Sequence, residues 1–225
     1  MAYAARTKPW VTLASATTTA TAGEGVLELR KRGESEFLIV IGGRVLMNSA
    51  SQRSEQALAE LALADRAANH VIIGGLGMGF TLRAALDKLG PSAHVIVGEL
   101  DPTIVEWCRG PLAAASGHAL EDRRVEIVLG DVDALIARSQ SIDAIMLDLY
   151  EGPYESRGCF GARGLVAIHR ALAPAGVLAV WSEDPAPSFV GRLERAGFGV
   201  KTHRVGSNRR HIVYCAAPRP PRDFR

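Results

Sequence analysis

One short segment restricts this chain more than any other. Gly74-Gly75-Leu76-Gly77-Met78-Gly79 follows the apolar run Val71-Ile72-Ile73 and precedes a helical pattern over Thr81 to Leu89, which stops at Gly90-Pro91. A glycine-rich turn between a buried strand and a helix permits positive φ and lets a ligand approach the backbone closely. The same alternation continues downstream. His94 to Val97, Val125 to Leu129, Ile142 to Leu147 and Val177 to Trp181 read as strands. Pro102 to Cys108, Val132 to Arg138, Leu165 to Leu172 and Phe189 to Ala196 read as helices. Val200 to Val205 and His211 to Ala216 read as a closing hairpin. Strands alternating with helices of about ten residues predict an α/β fold with a Rossmann-like parallel sheet and helices on both faces.

The stretch before the glycine loop has a different period. Val26 to Arg30 and Phe37 to Ile41 flank the polar segment Lys31 to Ser35, which predicts a β-hairpin, and Gly42-Gly43 marks a second turn. Ala57, Leu58, Leu61 and Ala64 then recur at helical spacing, with Ser54 as a candidate cap. The expected organisation is a small N-terminal hairpin and helix region over residues 1–65 and a Rossmann-like domain over 66–225.

Composition excludes several classes. With 48% hydrophobic and 22% charged residues the chain is ordinary globular protein, and its formal net charge of +2 gives no support for a nucleic-acid partner. No apolar run approaches the ~20 residues of a membrane helix, and Thr12 to Ala22 lacks the apolar core of a signal peptide. Cys108, Cys159 and Cys215 lie far apart, and His118, His169, His203 and His211 show no metal-ligand spacing, so no metal is expected. These features together predict a cytoplasmic protein. The nine Lys and Arg residues from Arg192 to Arg225 read as a solvated surface and a loose end.

Three positions specify a nucleoside. Glu99 ends the second strand of the alternating region, 20 residues after Gly79, where a carboxylate can accept both ribose hydroxyls. Asp131 and Val132 follow the third strand. Asp131 can accept from the exocyclic amine of adenine while Val132 packs on the ring, or Asp131 can simply cap the helix. The glycine spacing is not the Gly-x-Gly-x-x-Gly of a dinucleotide site. Gly74, Gly75, Gly77, Gly79, Glu99, Leu100, Asp131 and Val132 are therefore the candidate cofactor residues, in a pattern similar to the class I S-adenosylmethionine-binding fold. Asp148 ends the fourth strand, at the rim where open α/β sheets bind their ligands. A carboxylate there can orient an amine nucleophile and take its proton. Tyr150, Glu151 and Tyr154 are the candidate acceptor-binding residues.

Between about Gly42 and Pro185 the sequence resembles the spermidine synthase (polyamine aminopropyltransferase) family. The family segments R-D-E, G-G-G-D-G, V-E-I-D-P, G-D-A, D-S-S-D-P and Q-A-E-S-P have counterparts in order. They are Arg53-Ser54-Glu55, the glycine loop, Gly98 to Pro102, Gly130-Asp131-Val132, Asp148 to Pro153 and Trp181 to Pro185. The resemblance implies that Asp148 receives the proton of the attacking amine and that Glu151 holds an amine. It also implies a small amine-bearing acceptor and a homodimer. Departures from the pattern bear on the donor. The loop Asp, which in the family pairs with the ammonium of decarboxylated S-adenosylmethionine, falls on Gly77. The Tyr after R-D-E falls on Leu58, and the long insert after Q-A-E-S-P is absent. Losing a charge-assisted hydrogen bond costs about 1.5–3 kcal/mol. Gly77 thus points to methyl transfer from S-adenosylmethionine as the first expectation. Aminopropyl transfer from the decarboxylated donor is the alternative, and a non-catalytic nucleoside-binding protein is the third reading.

Overall fold

A computed structural model describes residues 8–18, 25–64, 66–149, 152–206 and 210–220. The chain divides into two compact units, up to Gln52 and from Arg53 onward.

The first unit is a four-stranded antiparallel meander of β1 (Val11–Thr18), β2 (Gly25–Arg32), β3 (Glu36–Ile41) and β4 (Arg44–Asn48), paired in that order. The expected hairpin is β2–β3. Leu27 faces Ile41 and Leu29 faces Ile39 across it, and all four are buried. Such cross-strand apolar pairs are what hold a register. Gly42 and Gly43 have φ of 53° and 82° in the two-residue loop between paired Ile41 and Arg44. That is the type I′ geometry suited to a twisted hairpin. β1 and β4 were not expected. β1 is rich in Thr, Ala and Ser and has no apolar alternation; pairing along β2 makes it a strand.

The second unit begins with α1 (Arg53–Ala62) and β5 (His70–Gly74), α2 (Phe80–Lys88), β6 (His94–Glu99), α3 (Pro102–Arg109) and β7 (Val125–Leu129). It continues through α4 (Val132–Ala137), β8 (Ile142–Leu147), α5 (Ala162–Ala171), β9 (Leu172–Ser182), α6 (Pro187–Arg195), β10 (Phe198–Val205) and β11 (His211–Pro218). These form one seven-stranded sheet in the order β10-β11-β9-β8-β5-β6-β7. The five strands from β5 to β9 run parallel, and the β10–β11 hairpin joins β9 antiparallel. Side chains of α4, α5 and α6, among them Leu135, Ile168 and Phe189, close one face over Ile72, Ile145, Leu147 and Val180. The alternate residues Val71, Ile73, Met146 and Ala179 are equally buried, as strands covered on both faces require.

Two boundaries differ from the sequence reading. α1 was grouped with the hairpin region, but it buries Leu58, Ala59 and Ala62 against α2, β8, β9 and β11, so the division falls after Gln52 rather than at residue 65. β9 begins at Leu172, not Val177. The register with β8 shifts between Ile142 and Ala144, and this irregularity accommodates Pro174, which has no N–H to donate to a ladder.

Candidate active site

The sheet order places the site. β5 leads to β6 and β7 on one side, and the chain then returns to β8 on the other side of β5. In doubly wound sheets the crevice at this reversal, outside the C-terminal strand ends, is where ligands bind. The glycine loop leaves β5 there and Asp148 leaves β8 beside it. Asp148 N donates to Gly74 O at 3.0 Å, and Gly75 N donates to Gly98 O at 2.9 Å. The loop backbone is therefore bonded to both neighbouring strands. Gly75 has φ +86°, and a Cβ there would lie 2.4 Å from Asp148 O. Gly74 is similarly confined by Leu147 and Val132. Gly77 (φ 53°) and Gly79 (φ 81°) complete the turn, with Gly79 at the N-cap of α2. The Cys108 thiol of α3 donates to Gly77 O at 3.2 Å. Burial pushes this thiol up to about 12, so it remains a neutral donor.

Glu99 stands on the β6 side of the crevice. It is buried, with Oε2 accepting from Leu76 N at 2.8 Å and Oε1 from Asp101 N at 2.9 Å. Burial raises its pKa, and the backbone donors work in the opposite direction. Each carboxylate oxygen keeps a lone pair for a hydroxyl donor. Asp101 caps α3 through Thr103 N at 2.8 Å, and Pro102 occupies the first turn. Asp131 does cap α4, accepting from Asp133 N at 2.8 Å through Oδ1. Its other oxygen is not used in that cap. Leu100 and Leu129 stand 46% and 57% exposed at the ends of β6 and β7. Exposed leucines there suit a flat apolar ring. Leu129 was missing from the sequence reading, although its place one residue before Gly130 was available as a signal.

Asp148 accepts from Thr81 Oγ1 of α2 at 3.3 Å. Burial, with the Glu55 charge adding to it, pushes the Asp148 carboxyl up to about 7. Glu55 lies in the first turn of α1, which packs against β8 and α2, and Ser54 Oγ donates to its Oε2 at 2.7 Å. Ser54 thus orients Glu55 instead of capping the helix. Among the described residues neither Asp148 nor Glu55 has a cationic partner. Glu55 was not among the expected site residues, though it is the Glu of the R-D-E counterpart.

Of the expected acceptor residues, Tyr150 and Glu151 lie outside the described residues. Tyr154 is described, and its hydroxyl is occupied. It donates to Asp184 O at 2.5 Å and accepts from Asp184 N at 2.6 Å, with Ser182 Oγ 3.0 Å away. Only its ring is left to face a ligand. Among the described residues no group of three or more His, Cys, Asp or Glu side chains could hold a metal ion.

The spermine/spermidine synthase domain profile matches residues 52–188, a span that contains the glycine loop, Glu99, Asp131, Asp148 and Glu55. The chain belongs to this family. A polyamine aminopropyltransferase of Mycobacterium tuberculosis is 26% identical over 186 residues, covering 78% of this chain. One from Pseudomonas syringae pv. tomato is 30% identical over 136 residues, covering 60% of this chain. This spermine/spermidine synthase domain chain spans 35% and 47% of the length of those two relatives. A spermidine synthase from Thermotoga maritima superposes with a TM-score of 0.71 at 19% identity, over 92% of this chain and 72% of that one. A spermidine synthase in complex with the transition state analogue AdoDATO gives a TM-score of 0.73 at 19% identity, over 92% and 73%. These two likenesses establish a shared fold. Among the described residues no helix is long and apolar enough to cross a membrane.

Proposed function

We propose that this chain is an aminopropyltransferase that moves the three-carbon amine of decarboxylated S-adenosylmethionine onto an amine acceptor. One observation carries the reading. Asp148 and Glu55 gather at the switch point with no cation beside them among the described residues, a setting that suits a positively charged or proton-donating ligand. An amine acceptor is such a ligand. The relatives named polyamine aminopropyltransferases support the same class of acceptor, and they favour aminopropyl transfer over the methyl transfer that Gly77 first suggested.

The chain's own groups account for the steps. Glu99 receives the ribose hydroxyls and Asp131 meets the adenine, while Val132, expected on the ring, is buried in the core against Gly74 and Gly98 and supports the loop from below. The confined backbone of Gly74 and Gly75 brings the sulfonium close to the β8 rim. The acceptor nitrogen, deprotonated, attacks the methylene carbon next to sulfur. The N–C bond forms as the C–S bond breaks, and the electron pair stays on sulfur as methylthioadenosine. The new ammonium passes its extra proton to Asp148. A carboxyl near 7 is matched to that task at neutral pH. Thr81 fixes its orientation, and alignment of nitrogen, carbon and sulfur supplies most of the acceleration.

Incubation with decarboxylated S-adenosylmethionine and 1,4-diaminobutane or spermidine tests this directly. The expected products are methylthioadenosine and the aminopropylated amine, with S-adenosylmethionine inert. Formation of S-adenosylhomocysteine and a methylated amine instead would establish the donor that Gly77 favours. Tight binding of both donors with no turnover would leave the nucleoside-binding reading standing.

A further inference from the structure

Arg192 departs from the solvated surface expected of the C-terminal cations. It sits in the middle of α6, and burial lowers its pKa. Its Nε donates to Phe160 O at 3.1 Å, and its Nη2 donates to Glu155 O at 3.1 Å and to Pro153 O. Nη1 reaches Ser188 Oγ at 3.2 Å, and the guanidinium lies over the Phe189 ring at 5.3 Å. Three carbonyls of one loop thus converge on one guanidinium. That loop, residues 152–160, runs from the β8 rim towards α5. The Tyr154 hydroxyl ties the same loop to the end of β9 through Asp184. Phe160 packs edge-on against Phe189 at 5.8 Å and fastens its far end to α6.

We propose that Arg192 and Tyr154 are positioning residues for acceptor binding: they clamp residues 152–160 to β9 and α6 as a preformed wall beside Asp148. This rests on the reading of the site as one that binds an amine acceptor. The geometry calls for arginine. A guanidinium presents five donors in a rigid plane, whereas an ammonium presents three from a single point and cannot span Pro153, Glu155 and Phe160 together. The chain lacks the long insert after Pro185 that its resemblance would supply. Here residues 152–160 are instead held by Arg192 of α6 and by the loop's own Tyr154 on the Asp184 backbone. The Pro153 to Glu155 part of the wall belongs to the acceptor side, because Tyr154 ties it to Asp184 just beyond β9, whereas Gly158 and Cys159 at its far end lie against Asp133 of α4.

The test uses Arg192→Lys, Arg192→Ala and Tyr154→Phe in the full chain. Titration with methylthioadenosine reports the nucleoside site, and titration of the methylthioadenosine complex with 1,4-diaminobutane reports the acceptor side. The expected result is methylthioadenosine affinity within twofold of wild type and diamine affinity lowered roughly tenfold, because a wall that is no longer preformed must be ordered on binding. In turnover, KM for the amine rises by a similar factor and kcat changes less than threefold. Amide exchange speeds up over residues 153–161 and stays unchanged in β5 and β8. Guanidinium ion partly restores diamine affinity to Arg192→Ala. Wild-type diamine affinity in a variant whose loop exchanges faster overturns the clamp as an acceptor device, as does parallel loss of methylthioadenosine binding. A wild-type chain that binds no diamine also overturns it. A wild-type chain that binds the diamine but makes no aminopropyl product overturns the reading of the reaction and leaves the clamp to the affinities.

Discussion

Gly75 carries the tightest constraint in the site. Its φ is in the left-handed region, and any Cβ would meet Asp148 O at 2.4 Å. Gly75→Ala must therefore move β5 away from β8 or unwind the loop. The expected outcome is a loss of roughly 2–4 kcal/mol in urea unfolding, with methylthioadenosine binding abolished in calorimetry. Gly77 is more permissive, because φ near +53° is one that Asp and Asn adopt more readily than other residues. Gly77→Asp introduces the carboxylate that the resemblance expects. It should tighten decarboxylated S-adenosylmethionine by about 10- to 100-fold and weaken S-adenosylmethionine, as competing titrations of the two donors will measure. Equal effects on both donors would show that the loop does not face the donor tail. Glycine spacing in the sequence was enough to find the loop. What it did not contain was the contact of Gly75 with Asp148, because those residues are 73 positions apart and meet only through the pairing of β5 with β8.

At the scale of elements, two helix starts stand at the proposed nucleoside rim. α3 and α4 each begin on an Asp whose side chain caps the first turn, at the C-terminal ends of β6 and β7. The sequence allowed Asp131 to be a cap, an adenine ligand or both, and the structure shows the cap. Asp131→Ser separates the two roles, since serine also caps well but is too short to reach a base. Unfolding free energy should stay within about 0.5 kcal/mol of wild type, while donor affinity falls about tenfold, consistent with loss of one hydrogen bond to a ligand. Unchanged affinity would confine Asp131 to capping. α1 illustrates the opposite limit. Its periodicity was plain, yet its partners were not, and the apolar stripe of Leu58 and Ala62 joins the sheet of the second unit. Periodicity states that a face is buried, not against what.

For the molecule as a whole, the site has a cost in stability that depends on pH. The folded chain holds the Asp148 proton up to about 7, against an ordinary value of 3.8. A group whose folded pKa is raised favours the folded state fully below about 4, and that contribution is lost as pH rises towards about 7. The Glu99 shift has the same sign. Asp122, held down to about 2 by its bonds to Arg124, acts oppositely and is lost only as pH falls below 4. Unfolding free energies from urea titrations should therefore decline between pH 4 and pH 7.5, on the order of 4 kcal/mol for Asp148. Asp148→Asn should remove most of this slope and be the more stable protein at pH 8, while losing turnover. A variant with the wild-type slope would show that Asp148 is ionised in the folded state throughout.

The amino-acid sequence by itself determined the strand and helix order from β5 to β11, the glycine loop, the two acidic strand ends at Glu99 and Asp148, and the family resemblance. All of these are local patterns of period, turn chemistry and spacing, which a chain carries before it folds. Only the tertiary structure decided that β8 lies beside β5, that Glu55 stands with Asp148, and that Arg192 closes on the carbonyls of a loop over 30 residues away. Those facts depend on which buried faces pair and which polar groups must then be satisfied. Neither is written in any short window of sequence, because each is settled by packing the whole sheet at once.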